Sequence, residues 1–319
     1  MKYNSVGLII GRKCTVSCEM CCYDCNTERT EALDPDVVLK YINSAKDLPF
    51  IKLIGFSGGE AMLQYDNLKE YLRCAKEIGK YTGVTTNGFW ATDFDTAKER
   101  ICELKEAGLS KLGISYDEFH AEQIPAQNII NILKAAKAVG MFLTIQSSML
   151  NDSNAGNWLG NLGSYIVDQK IDFFPCQPVG AAKKNISDDR FIRRTPVCGG
   201  ICNKGKTFSI LYDGAIYPCC KPFVFNTELK LGNIYDKDMD IAASLEALRS
   251  NNILFVLRNY GFDFFLDIAR TELDIELPEY VISPCELCGI FFSKENIYKF
   301  IPYVYQKIKE LNGKELVNV

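Results

Sequence analysis

Short apolar, β-branched runs occur at Val6–Ile10, Ile51–Phe56, Thr82–Thr86, Lys111–Ser115, Phe142–Ser147 and Ile171–Phe174. Between them, apolar residues return every three or four positions, near Pro35–Lys46, Asn67–Ile78, Asp95–Ala107, Ala126–Val139 and Asn154–Asp168. This alternation predicts strand–helix units recurring roughly every thirty residues after a longer first unit, hence parallel strands with right-handed crossovers. Asp34-Pro35 reads as the cap and first residue of the first helix, and Gly79, Gly108 and Gly140 stop three others. Six units predict an α/β fold built as an open, partial (β/α)6 barrel, although a doubly wound sheet shares the periodicity. Either architecture places chemistry at the carboxyl ends of the strands.

The rhythm stops near residue 180. A polar, basic stretch, Ala181–Arg194, leads into a second region with a predicted hairpin, Thr207–Tyr212 and Ala215–Tyr217, turning on the two residues Asp213-Gly214. Helical patterns follow near Ile241–Ser250, Ile253–Ala269 and Lys294–Leu311. The chain therefore divides into residues 1–190 and 191–319. With 47% apolar and 24% charged residues in a length of 319, it has the mixture of a soluble globular protein and not of a disordered chain or coiled coil. A net charge of -4 leaves no basic footprint for nucleic acid. The N-terminal apolar run is too short for a signal peptide, and Arg258, Asp263 and Asp267 interrupt the most apolar later stretch. No membrane partner is expected, and the reading is cytoplasmic.

Cysteine changes the picture. There are 14 cysteines and a single histidine, His120. Zinc sites commonly mix the two, so this ratio points to all-thiolate iron–sulfur ligation. Cys14, Cys18, Cys21, Cys22 and Cys25 crowd the end of the first predicted strand, while Cys198, Cys202, Cys219, Cys220, Cys285 and Cys288 lie late in the chain. Cys74 and Cys102 sit on helical patterns and read as small buried hydrophobes. Cys176 is isolated. Cys14-x-x-x-Cys18-x-x-Cys21 supplies three thiolates, which leaves one iron of a four-iron cluster open. A structural zinc site on Cys14, Cys18, Cys21 and Cys25 is the plain alternative. Gly58-Gly59-Glu60, Asn87-Gly88, and Ser115 with Asp117 follow the second, third and fourth strands. His120 reads as a loop residue satisfied by its neighbours.

The three-cysteine loop resembles that of the radical S-adenosylmethionine (SAM) superfamily. The resemblance implies that SAM chelates the open iron and is cleaved to a 5′-deoxyadenosyl radical. It also implies that Gly58, Gly59 and Glu60 meet the SAM amino group, with Asn87, Ser115 and Asp117 as further SAM contacts. The late cysteines resemble the SPASM-type auxiliary cluster domain, which implies a second [4Fe–4S] cluster on Cys219, Cys285, Cys288 and either Cys202 or Cys198. A zinc ribbon would use the same thiolates.

A wider likeness runs through CTVSCEMCCYDC, GFSGGE, TTNGFWA, ISYDEFH, PVGAAK, DGAIYPCC and CELCG. Together these resemble the YydG-type radical SAM peptide epimerases. The implied partners are a ribosomally made precursor peptide and an electron donor of flavodoxin or ferredoxin type. The implied hydrogen-atom donor is Cys220. The match is loose around Cys202-Asn203-Lys204-Gly205, so roles nearby do not carry over. A maturase forming thioether or carbon–carbon crosslinks would share the N-terminal machinery, and a non-catalytic zinc-binding protein would share the cysteines alone.

Overall fold

The computed structural model describes residues 3–202 and 206–315, with side chains through 311; Asn203, Lys204 and Gly205 of the loosely matched segment lie outside the described residues. The first half runs β1 (Ser5–Ile9), α1 (Pro35–Asn43), β2 (Leu53–Ser57), α2 (Tyr65–Glu77), β3 (Tyr81–Thr86), α3 (Phe94–Ala107), β4 (Lys111–Ser115), α4 (Glu118–Ala121), α5 (Ala126–Val139), β5 (Phe142–Met149), α6 (Gly156–Leu159) and β6 (Lys170–Pro175). The second half comprises α7 (Ala181–Asn185), β7 (Thr195–Pro196), β8 (Thr207–Ile210), β9 (Ala215–Tyr217), β10 (Gly232–Asn233), α8 (Ile241–Ser250), α9 (Asn252–Thr271), β11 (Tyr280–Val281), α10 (Pro284–Phe291) and α11 (Ile297–Glu315).

Local chemistry explains the helix boundaries. Asp34 accepts from the backbone N–H groups of Asp36 and Val37 at 2.9 and 3.2 Å, with Pro35 in the first turn of α1. Such a cap is worth about 1 kcal/mol. Asp93 caps α3 in the same way, and Gly140 ends α5 in the left-handed conformation. Apolar faces of these helices pack inward: Val38, Tyr41 and Ile42 of α1, and Leu68, Tyr71, Leu72 and Ala75 of α2, are buried.

Strands β1 to β6 are parallel and stand in sequence order, with no reversal. A doubly wound sheet requires a switch point, so that alternative is excluded. The sheet curls: one cavity is lined by residues from β1 through β6 together with Ser209 of β8. Among the described residues β6 has no partner on its outer side, so the barrel stays open.

Two expectations are corrected, and one pairing is new. The helix near Asn154–Asp168 is only the short α6 followed by a 3-10 segment, Gly160–Ile166, broken at Gly163 with φ 57°. Gly156, Gly160 and Gly163 remove the side chains that a longer helix would need. The hairpin turns on three residues, not two: Leu211 N donates to Ala215 O, Gly214 N donates to Leu211 O, and Gly214 takes φ 82°. Finally, β8 pairs in parallel with β1, so the second region extends the same sheet, in the order β10-β9-β8-β1.

The remaining helices pack around a cluster of Phe265, Phe291, Phe292 and Phe300. Tyr41 and Ser244 share a buried hydrogen bond of 2.7 Å that ties α8 to α1. Helix α9 is kinked at Gly261 (φ 74°), where Phe262 N donates to Gly200 O at 2.9 Å. A Cβ at Gly261 would lie 2.5 Å from that carbonyl. No helix among the described residues is long and apolar enough to cross a membrane. We expect Gly261→Ala to cost about 2 kcal/mol or more, through positive φ and the clash together, read as a lower thermal midpoint.

Candidate active site

The loop after β1 is held against the end of β2 by backbone contacts, with the Gln64 side chain adding one bond to Ile10 O at 3.2 Å. Gly59 N donates to Gly11 O and Glu60 N to Lys13 O, both at 2.9 Å. A Cβ on Gly58 would sit 2.7 Å from Gly11 O, and one on Gly59 only 2.1 Å from Lys13 O. The two glycines are therefore required by the close approach of the cysteine loop. From the other side, Gly180 presses on the carbonyls of Cys21 and Cys22, and Ala181 N donates to Cys21 O at 2.9 Å. Asp24, itself at φ 53°, pins the loop's far end through Arg12 (3.1 Å), Arg29 (2.7 Å) and Lys184 (3.0 Å).

So held, Cys14, Cys18 and Cys21 line one cavity of about 140 Å³ together with Gly58, Gly59, Asn87 and Ser115. Asn87 Nδ2 approaches Cys14 Sγ at 3.7 Å, and Gln123 Nε2 approaches Cys18 Sγ at 3.8 Å. Burial pushes the Cys14 thiol up to about 12. Hydrogen bonding from the Cys25 side chain, helped by its backbone N–H 3.3 Å away, brings Cys21 down to about 6. Cys25 is buried, and its place in the loop is as the partner of Cys21. Three cysteines on a shared cavity, beside bare backbone and an amide, form a donor set that fits a thiolate-held cluster with one iron open.

Two carboxylates expected to face SAM point instead into the protein. Glu60 is buried and accepts from Met62 N (2.9 Å), Thr86 Oγ1 (2.7 Å) and Asn87 N (2.7 Å). Burial still pushes its carboxyl above the usual range. Asp117 accepts from His120 N and from its ring Nδ1 (3.1 and 2.8 Å), and from Ser148 N (3.2 Å). Neither lines the cavity, whereas His120 does. Burial alone would lower the His120 pKa, but the Asp117 carboxylate and the Cys18 side chain outweigh it and push it well above its ordinary value. Sequence reading assigned His120 to a satisfied loop. It is satisfied, and it also stands against the cysteine cavity.

A second cavity, about 460 Å³, adjoins the first along Met20, Cys22, Tyr23, Ser57, Thr85 and Ser115. Three thiols face it: Cys22, Cys176 and Cys220. Cys176, at the end of β6, was isolated in sequence and gave no signal; burial pushes it up to about 11. Cys220 is the exposed one of the three; partial desolvation at the cavity wall raises its thiol against the opposing Lys221 ammonium. Cys219 lies within electrostatic reach of Cys220, Cys285 and Cys202, and Cys288 within reach of Cys219, Cys202 and Cys285, with Cys285 and Cys288 carried on α10. Cys198 is exposed and is not part of that group of mutually interacting thiols. Cys202, and not Cys198, is among the thiols that act on both Cys219 and Cys288. Among the described residues, no three His, Cys, Asp or Glu side chains are grouped as ligands of a single ion.

The radical SAM superfamily profile matches residues 8–155, and an iron–sulfur cluster-binding domain, SPASM, matches 198–262. A Bacillus subtilis (strain 168) protein described as a candidate peptide biosynthesis protein, YydG, is 31% identical over 316 residues, covering 97% of this chain and 98% of the relative. The chain belongs to the radical SAM superfamily. With its SPASM domain, this radical SAM enzyme uses SAM and [4Fe–4S] clusters. Its fold is similar to that of Streptococcus suis SuiB bound to precursor peptide SuiA (TM-score 0.59, 15% identity, 81% of this chain and 67% of that one). It is also similar to anSMEcpe with bound AdoMet and a Cp18Cys peptide (TM-score 0.54, 16% identity, 96% and 99%).

Two outcomes are expected of this radical SAM enzyme. Replacing Cys14, Cys18 and Cys21 together by Ala abolishes 5′-deoxyadenosine formation but leaves iron bound at the C-terminal cysteines, measured by chromatography and metal analysis. Gly59→Ala forces the loop off β2, costing about 2 kcal/mol or more and lowering the iron retained after reconstitution.

Proposed function

We propose that this radical SAM/SPASM enzyme epimerises L-residues to D-residues in a ribosomally made precursor peptide. The YydG relative and the SuiA-bound fold relative support a peptide substrate. The observation that carries the reaction type is the position of Cys220. Its side chain lines the cavity that adjoins the space shared by Cys14, Cys18 and Cys21, next in the chain to Cys219.

Cys14, Cys18 and Cys21 hold the SAM-binding cluster, and Cys202, Cys219, Cys285 and Cys288 hold the auxiliary one. Gly58, Gly59, Asn87 and Ser115 present backbone and polar atoms to SAM, while Glu60 and Asp117 fix the loops that carry them. SAM and the cluster, when bound there, would supply a 5′-deoxyadenosyl radical able to take the Cα hydrogen, giving 5′-deoxyadenosine. Cys220 then gives its thiol hydrogen atom to the opposite face of the planar carbon radical. The S–H bond breaks, a new Cα–H bond forms with inverted configuration, and a sulfur radical remains. One electron, from a reduced flavodoxin or ferredoxin, and one proton restore the thiol.

Because thiol hydrogens exchange with solvent, wild-type enzyme in heavy water is expected to place one deuterium on each inverted Cα, seen by mass spectrometry with chiral amino-acid analysis. Cys220→Ala is expected to keep cleaving SAM while its yield of D-residues falls at least tenfold. A crosslinking maturase would remove two hydrogens from the peptide and leave no such label. Inversion without deuterium would overturn the thiol donor. D-residues at full yield from Cys220→Ala would pass the role to Cys22 or Cys176.

A further inference from the structure

The curled sheet encloses a third space. A bore of about 290 Å³ continues from the Cys220-lined cavity toward the N-terminal ends of the strands, where Lys111, Phe142 and Lys170 begin β4, β5 and β6. Interiors of barrels of this kind are ordinarily filled by layers of branched side chains. Here one row of the sheet reads Ser209, Gly7, Gly55, Gly83, Lys111, each residue in register with the next. Three consecutive strands present no side chain.

The backbone does not require those glycines. None of the three has positive φ. A Cβ on Gly55 would meet nothing closer than a carbonyl oxygen at 3.8 Å, and one on Gly83 would touch only the flexible stem of Lys111. Glycine inside a strand weakens it. What the row preserves is empty room.

Two polar groups on the same row point to an occupant. Ser209 Oγ is completely buried, lies 3.3 Å from where a Gly7 Cβ would be, and has no hydrogen-bond partner among the described residues. A buried hydroxyl without a partner is costly. At the other end of the row, Lys111 makes no ion pair among the described residues, whereas Lys170 is balanced by Asp172 at 3.6 Å. The bore therefore carries an unpartnered hydroxyl, a backbone floor open above Gly55 and covered by the Lys111 stem above Gly83, and at its exposed end one cation without an ion-pair partner.

We propose that this bore is a substrate subsite that takes a carboxylate-bearing segment of the peptide. The segment lies over Gly55, between Ser209 and Lys111, hydrogen-bonds Ser209 Oγ and sets its carboxylate on Lys111. The inference rests on the peptide reading given above. It makes Ser209 and Lys111 specificity-determining residues, with the glycine row setting how bulky the segment is.

The test uses reconstituted holoenzyme with SAM and three pools of synthetic decapeptides built from randomised neutral residues. One pool ends in a free carboxylate, one is amidated and contains a single glutamate, and one is amidated without any acid. Retention on ultrafiltration is read by mass spectrometry. Wild-type enzyme should enrich one acid-bearing pool at least tenfold over the acid-free pool, and which one identifies the carboxylate as chain end or side chain. Lys111→Met should erase that preference. Gly55→Val should lose retention while its thermal midpoint stays level or rises, because the added side chain fills a void without a clash. Equal retention of all pools by wild type, or undiminished enrichment by both variants, would overturn the subsite. A sharp fall in the Gly55→Val midpoint would show that the glycine is structural and overturn the argument from empty room. Failure of wild type to retain any pool would overturn the peptide reading itself, and the subsite with it.

Discussion

The site depends on a contact between two stretches of bare backbone. Residues 11–13 lie so close to Gly58 and Gly59 that no side chain fits between them, and two hydrogen bonds of 2.9 Å lock the approach. Everything that faces the cysteine cavity is referred to this contact. Glu60, whose own N–H closes it, extends a buried carboxylate to Thr86 and Asn87 and so fixes the end of β3 relative to β2. Asp117 repeats the device two units on, joining the end of β4 to Ser148 in β5. A buried carboxylate is tolerated only when donors surround it, and removing one donor leaves a penalty of several kcal/mol. The strand ends are therefore held by groups that have little freedom to move.

The barrel was legible because its evidence is local. Alternating apolar runs, Asp caps and terminal glycines each act within a few residues, and β4 and α5 fall where the pattern places them. The failures are also physical. Between β5 and β6 the apolar spacing is helical, yet Gly156, Gly160 and Gly163 make the helix too weak to persist. In the hairpin, Asp213-Gly214 suggested the shortest turn, but the positive φ of Gly214 follows two residues instead of one.

At the site, sequence indicated which residues stand at strand ends but not which way they turn. Gly58, Gly59, Asn87 and Ser115 face the cavity, while Glu60 and Asp117 face the protein. No local pattern distinguishes these cases, because the deciding partners are a backbone N–H from another unit and a loop that arrives later. Cys176 was hidden for the same reason: only the curl of the sheet brings the end of β6 toward Cys220. Sequence likewise could not separate Cys202 from Cys198, which lie four positions apart in a region without periodicity.

The parallel pairing of β8 with β1 has a consequence for how the chain is made. The first strand to leave the ribosome gains one neighbour, β2, after some fifty residues, but its other edge stays bare until residues 207–210 have emerged. Throughout that interval Val6, Leu8 and Ile9 belong to an unfinished sheet, and an open edge of this kind is a template for pairing with other chains. A chain cut near residue 190 would keep every residue of the first cysteine loop and still lack the strand that covers this edge of β1.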